Sequence, residues 1–394
     1  MKNNTTTYEQ LGELLVFDKR FQGLPKGYQK EIVEFKHVSA EILKSLSVDG
    51  GTIRLISTGL FDGYTTETFS REFINVGEII AIPTGGTANI KYYNGSFVDS
   101  GNILATTKRT DVSLKYVYYY LIANNQTVNS FYRGVSIKHP YMPDICKMCV
   151  PLPSIQEQEQ IVDELDSLNS ILEKRAKQVE VYEQLILSFF FDYFGNPKTN
   201  EKQWDTIKWG DAFDTILGKM LDKNKQNSDD LSFPYLANIN VRWGSFDLKE
   251  LRTMTFSPKE VQKYSLKNGD LLICEGGEAG RCAVWGNEPQ QILFQKAIHR
   301  ARLIRDGISP YFVQYYLMTL RSLGGLKDYI SRATIEHLTG EKLKTLPLLV
   351  PPFELQSKFE KVVRSIFRQE ELIQNSIKET NELLSSRLDY YYKG

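Results

Sequence analysis

A chain of 394 residues is long enough for two or three domains with cores of their own, and 41% hydrophobic with 24% charged residues marks a folded protein, not a disordered one. Lys+Arg and Asp+Glu number 48 each, so charge alone does not point to a nucleic-acid binder. No apolar run reaches the roughly 18 residues of a bilayer span, Met1 to Thr7 is polar, and four cysteines make no disulfide scaffold; the expectation is a cytoplasmic chain with no membrane segment.

In chain order, residues 1–153 read as a first globular domain. A polar lead from Tyr8 to Glu13 precedes short β-type runs, among them Gly77–Ile82, which runs into the turn Gly85-Gly86. An aromatic helix, Tyr116–Leu121, follows. Residues 154–196 read as one long helix. Its apolar positions Ile161, Leu165, Leu168, Leu172, Val179, Tyr182, Ile186 and Phe189 form a heptad-like seam interrupted at Arg175. Ser154 and Glu157 make a capping box, and Gly195 with Pro197 stops the helix.

Residues 197–351 repeat the first plan. A lead from Trp204 to Asp211 is followed by Gly269–Cys274, the turn Gly276-Gly277 and an aromatic helix at 311–317. Residues 352–394 read as a second long helix with the seam Phe359, Val363, Ile366, Ile373, Ile377, Leu384 and Leu388. Strand signals mixed with short helices predict an α+β fold in each domain, with a small sheet. Each long helix is predicted to be roughly 60 Å long for about 40 residues.

The repetition is explicit. Val150-Pro151-Leu152-Pro153-Ser154-Ile155-Gln156-Glu157-Gln158 lies 198 positions before Leu348-Leu349-Val350-Pro351-Pro352-Phe353-Glu354-Leu355-Gln356, which sets Pro153 over Pro351 and Gln158 over Gln356. The same offset sets Ser136-Ile137-Lys138-His139 over Thr334-Ile335-Glu336-His337, and Gly12 over Gly210. A period this long means duplicated domains, not a solenoid. Duplication favours a pseudo-twofold arrangement in which the helices pair as an antiparallel coiled coil. Arg175 and Glu370, the polar interruptions, are then expected to meet and set register.

Charge is uneven along the chain. Residues 1–150 hold 16 basic against 14 acidic side chains, 151–195 hold 3 against 9, 196–350 hold 22 against 18, and 351–394 hold 7 against 7. The mildly basic domains suit a phosphate surface, and the acidic first helix suits a protein dock.

Two variable domains alternating with two Pro-led helices, the first opening Pro-Leu-Pro-Ser-Ile-Gln-Glu-Gln-Glu-Gln-Ile-Val, resemble the DNA-specificity subunit of type I restriction–modification systems, over essentially the whole chain. The resemblance implies a non-catalytic subunit without cofactor or metal. Two target-recognition domains would each read one half of a bipartite, asymmetric site in double-stranded DNA. The helices would act as spacer and dock two modification (adenine methyltransferase) subunits, with Ile161, Leu165, Leu168, Leu172, Val363, Ile366, Ile373 and Ile377 as docking positions. ATP-dependent restriction subunits would join that core. A bar of about 60 Å spans about 18 base pairs at about 3.4 Å each. The specificity subunit of a related fused restriction enzyme and a coiled-coil protein-binding scaffold are the alternative readings.

Base and phosphate contacts need Arg, Lys, Asn or Gln on accessible loops. The candidates in the first domain are Arg54, Lys91, Lys108, Arg109, Arg133 and Lys138. In the second they are Asn238, Asn240, Arg242, Arg281, Lys296, Arg300, Arg302 and Arg332. Catalytic motifs are missing or broken. Val350-Pro351-Pro352-Phe353 lacks the Asn or Asp that an adenine methyltransferase needs, Gly218-Lys219 is followed by Met220, not Ser or Thr, and the Asp-x-Lys at Asp247–Lys249 has no upstream partner. Cys146 and Cys149 have zinc-like spacing, but Cys274 and Cys282 do not complete it, so these are read as core cysteines.

Overall fold

The computed structural model describes residues 7–18, 31–220, 231–286, 291–332 and 336–393. It divides into two compact units: 1–176 with 375–394, and 177–374. Each unit contains one globular domain and a stretch of both long helices, which are 40 residues each, Ile155–Phe194 and Phe353–Tyr392.

In the first unit a seven-stranded mixed sheet runs in the order 32–33, 16–18, 102–106, 75–83, 91–100, 53–57, 62–65. It is larger than the small sheet expected. Its central strand Asn75–Pro83 is buried on both faces: Ile80 and Ile82 face one hydrophobic cluster, Ile79 and Ala81 another. That alternation is the two-residue period of a strand. The helix Leu114–Ala123 covers the first of these faces with Tyr116, Val117, Tyr120 and Leu121.

The second unit builds the same layers from two smaller sheets, ordered 213–217, 298–303, 271–274, 282–284 and 252–256, 231–236, 293–294. Leu271 and Ile273 pack into one core, Leu272 and Cys274 into the other. Cys282 joins the first of these cores, so Cys274 and Cys282 point to opposite faces of their sheet. Burial raises the Cys274 thiol to about 11 and the Cys146 thiol to about 12.

The repeat is visible in the registers. Thr7–Gln10 pairs antiparallel with Cys149–Leu152, and Asp205–Lys208 pairs with Pro347–Val350 in the same register 198 residues later. Each domain therefore ties its first strand to its last, immediately before its long helix starts. Gln158 and Gln356 lock that junction. Both are fully buried. Gln158 Oε1 accepts from Ser113 N at 2.9 Å while Nε2 donates to the Asp111 and Pro153 carbonyls at 3.0 Å. Gln356 repeats the pattern on Ser309 N (2.9 Å), Gly307 O (3.2 Å) and Pro351 O (2.7 Å). Ser113 and Ser309 also N-cap the aromatic helices, so one glutamine joins three elements.

The expected ends of the first long helix are present. Ser154 and Glu157 exchange capping hydrogen bonds, and Gly195 takes a left-handed φ of 74°. The seams turn inward against the same unit. Leu165, Val363 and Ile366 are buried in the chain's own cores, with Ile161 packed beside them. Leu168, Leu172, Ile373 and Ile377 are half-buried. Burial leaves Leu165, Val363 and Ile366 no surface for a partner, which corrects their assignment as docking positions, whereas Ile161, Leu168, Leu172, Ile373 and Ile377 are only partly covered. Arg175 is also reassigned. It donates to Ser376 O and Thr380 Oγ1, both at 2.9 Å, instead of pairing with Glu370. Glu370 sits beside Glu183, and burial followed by that like charge raises its carboxyl pKa.

Candidate nucleic-acid interface

In the first unit, loops from distant parts of the sequence meet at one end of the sheet. The ribbon Tyr132–Arg133 with His139–Pro140 carries the loop 134–138, which closes onto the turn Gly85-Gly86. Gly86 N donates to Lys138 O at 3.0 Å, and the His139 ring bonds Thr84 O at 2.5 Å. A side chain at Gly85 would meet Ile137 at 3.2 Å, so that glycine is what permits the approach. Gly101 lies against Thr58 and Thr84, drawing in the turn after strand 53–57. That turn is held by Lys91, whose Nζ donates to Ser57 O at 2.6 Å and Gly59 O at 2.7 Å, and by Asn89, which donates to Gly59 O. Burial lowers the Lys91 pKa.

The second unit assembles the corresponding parts. Gly276 bridges His337, and Leu338 N donates to Glu275 O at 2.7 Å. The turn is braced by Asn238, whose Nδ2 donates to Gly276 O at 2.6 Å. Arg281 donates to the main-chain and side-chain oxygens of Asn238, both at 2.9 Å, and to Glu278 at 3.1 Å. Trp243 Nε1 donates to Glu278 at 2.8 Å, and Arg321 bridges Glu336 at 2.6 Å and Ala279 O at 3.1 Å.

The predicted residues therefore separate. Arg133 and Lys138 come together in the first unit, and Asn238 and Arg281 in the second, while Lys91 lies with Arg54 along one cleft of the first unit. Arg133 is exposed, ion-paired with Asp144 at 2.6 Å and stacked 3.9 Å over the Tyr141 ring. Lys138, Arg242 and Lys296 are exposed, Arg242 within 3.7 Å of Asp247. Arg332 contributes backbone to the short ribbon with Glu336–His337, and residues 333–335 of that segment lie outside the described residues.

Others are committed elsewhere. Arg54 pairs with Asp62 at 2.7 Å and the Tyr64 hydroxyl at 2.6 Å, on the rim of a cleft of about 490 Å³ walled by Tyr92, Tyr93 and Tyr118. Lys108 (to Glu31, 2.5 Å) and Arg109 (to Asp111, 2.7 Å, and Glu9, 2.5 Å) follow the far end of strand 102–106, away from the loop cluster. The Asp111 and Glu9 carboxylates raise the Arg109 pKa further.

Asn240 and Arg300 are withdrawn as accessible contacts, and Arg302 is partly exposed but already engaged. Asn240 is buried and bonds Ala237 N and Asp247 O. Arg300 is 4% exposed and bound to Asp214 at 2.8 Å, and burial lowers its pKa. Arg302 grips Asp270 through two 2.7 Å bonds and Ser265 O at 3.1 Å. Sequence reasoning missed Arg321, which sits on an aromatic helix with no spacing to mark it. It also passed over the exposed apolar side chains Leu60, Val135, Ile137 and Ile239 on these loops.

Among the described residues no helix is long and apolar enough to cross a membrane. Residues 26–181 and 201–382 each match the type I restriction modification DNA specificity domain. The chain is 22% identical over 288 residues to the type I restriction enzyme EcoKI specificity subunit of Escherichia coli, an alignment covering 68% of this chain and 62% of that protein. It is 23% identical over 420 residues to a putative type I restriction enzyme specificity subunit of Haemophilus influenzae, covering 99% of this chain and 98% of the relative. The crystal structure of a type I restriction–modification S subunit from M. genitalium superposes with a TM-score of 0.58 at 16% identity, covering 98% of this chain and 96% of that one, and so shares the mixed α/β fold. Two specificity domains matched along most of its length place this chain in the family of type I restriction–modification specificity subunits.

Proposed function

We propose that this chain is the non-catalytic DNA reader of a type I restriction–modification complex. Each domain (1–153 and 197–351) reads one half of an asymmetric, bipartite target. The helices 154–196 and 352–394 serve as spacer, an antiparallel coiled coil that docks two adenine methyltransferase subunits, with restriction subunits joining that core. The observation that carries this reading is the convergence, in each unit, of the Gly-Gly turn, the His-bearing ribbon and a basic or polar loop at one end of the sheet. Glycine there lets the backbone approach a ligand, while Lys, Arg and Asn supply phosphate and base-edge donors.

Helix directions support the spacer. In the first unit Glu164 meets Arg387 and Tyr391, while Arg175 meets Ser376 and Thr380; in the second Phe190 packs on Phe359. Early residues of one helix meet late residues of the other in both units. Outward-facing Ile171, Val181, Leu185, Leu372 and Leu383 are among the exposed apolar positions that a partner could cover.

The test is to sequence the methylome of a methylation-deficient host that expresses the chain with its cognate modification subunit. Adenine methylation at a single bipartite, asymmetric motif is expected. An assembled complex, supplied with methyl donor, that leaves no new mark would favour the scaffold reading.

A further inference from the structure

The loop 134–138 of the first unit has an unusual tip. Val135 is fully exposed, more so than any other large apolar side chain among the described residues, and Ile137 is 61% exposed beside it. The tip does not owe its shape to Val135. It is set by Gly134, whose φ of 143° leaves a Cβ only 2.2 Å from Ile137 O, and by the Gly86–Lys138 and His139–Thr84 bonds at its base. Ile137 rests against Gly85, so it helps to hold the loop. Val135 has no such role. The exposed Lys138 and Arg133, the latter ion-paired with Asp144 at 2.6 Å, flank the tip, so an apolar group stands beside basic ones.

A surface of this composition suits a polyanion that exposes something apolar between its phosphates. A two-stranded ribbon matches the width of the DNA major groove. The apolar group that base edges display in that groove is the thymine C5-methyl. We propose that Val135 contacts the methyl group of one thymine in the half-site read by the first domain, making it a specificity-determining residue. At the same 198-residue offset the second domain has Ala333 in place of Val135. A valine-to-methyl contact therefore belongs to the first half-site alone.

The inference rests on the DNA-reading assignment, and the experiment separates the two. The chain, assembled with its modification subunit, is titrated against duplexes carrying its methylated motif, in which each thymine of each half-site is replaced in turn by uracil. This exchange removes the methyl and leaves every hydrogen-bonding edge intact. One replacement, in the first half-site, is expected to weaken binding about fourfold, the worth of roughly one buried methyl group. Val135→Ser, at a position that packs against nothing, should bind the thymine duplex about fourfold more weakly and be indifferent to that replacement, while retaining any response in the second half-site. If specific binding is retained and no first-half replacement changes affinity, or if Val135→Ser keeps the full uracil penalty, the contact is overturned and DNA reading stands. If the assembled complex does not prefer its motif over unrelated duplex, both fall.

Discussion

At the scale of single residues, His37 is the most telling ionisable group. It lies between two buried carboxylates, Nε2 at 2.5 Å from Asp18 and Nδ1 at 2.7 Å from Asp99, and Asp99 is also held by Asn102. Burial on its own would lower the imidazole pKa, but the bonds and charges of Asp99 and Asp18 overcome this and hold it above the ordinary 6.5. A folded value above the unfolded one means that the stabilisation is complete below 6.5 and is lost as pH rises through the folded value. Urea midpoints of the wild type and His37→Gln should therefore differ more at about pH 6 than at about pH 9. A gap that widens towards alkaline pH would contradict the charged-imidazole account. The sequence gives no hint of this cluster, because Asp18 and Asp99 lie 19 and 62 positions from His37 and only the sheet brings them together.

Distance along the chain also explains which site residues were legible. Repetition exposed the His139 and His337 ribbons and the Gly-Gly turns, because two copies of a landmark outweigh chance, and the structure joins them in each unit. The state of each cation was not legible. Arg109 finds Glu9 100 positions away, Arg300 finds Asp214 at 86 and Arg302 finds Asp270 at 32, so accessible and committed arginines look alike in sequence. The apolar seams were read correctly as periodic, yet a seam is equally suited to the chain's own core and to a partner; here the core takes it.

Between elements, the decisive devices are the buried glutamines that bolt each long helix to its domain. Gln158→Ala would leave the Ser113 N–H and the Asp111 carbonyl without partners inside the fold. Unfolding by urea should show a loss of roughly 2–4 kcal/mol, against well under about 1 kcal/mol for an exposed neighbour such as Glu159→Ala. Gln356→Ala should act alike on Ser309 and Gly307. A negligible change at either position would mean that the strand pairing alone secures the junction. This role was half-legible: the recurrence of glutamine at equal places marked the position, but a polar residue at a helix start does not announce that it is fully buried.

For the molecule as a whole, surface and core divide the helices into an inward and an outward side. Val181 and Leu185, one turn apart and exposed, are the outward apolar pair on the second unit's stretch of the first helix. Val181→Asp with Leu185→Asp should abolish co-purification with the modification subunit while the far-ultraviolet circular dichroism and urea midpoint stay near wild type. Retained assembly would move the dock off this face.

Because the opening strand of each domain pairs with its closing strand, the backbone enters and leaves each domain through the same doorway. A domain built this way behaves as an interchangeable cassette. Whatever lies between the paired strands can be replaced by another sequence whose ends pair in the same register, and the helix beyond the doorway keeps its start. If each domain reads half of the target, as proposed above, a lineage carrying such a gene would acquire a new preference for one half through one recombination event, with the rest of the chain unaltered.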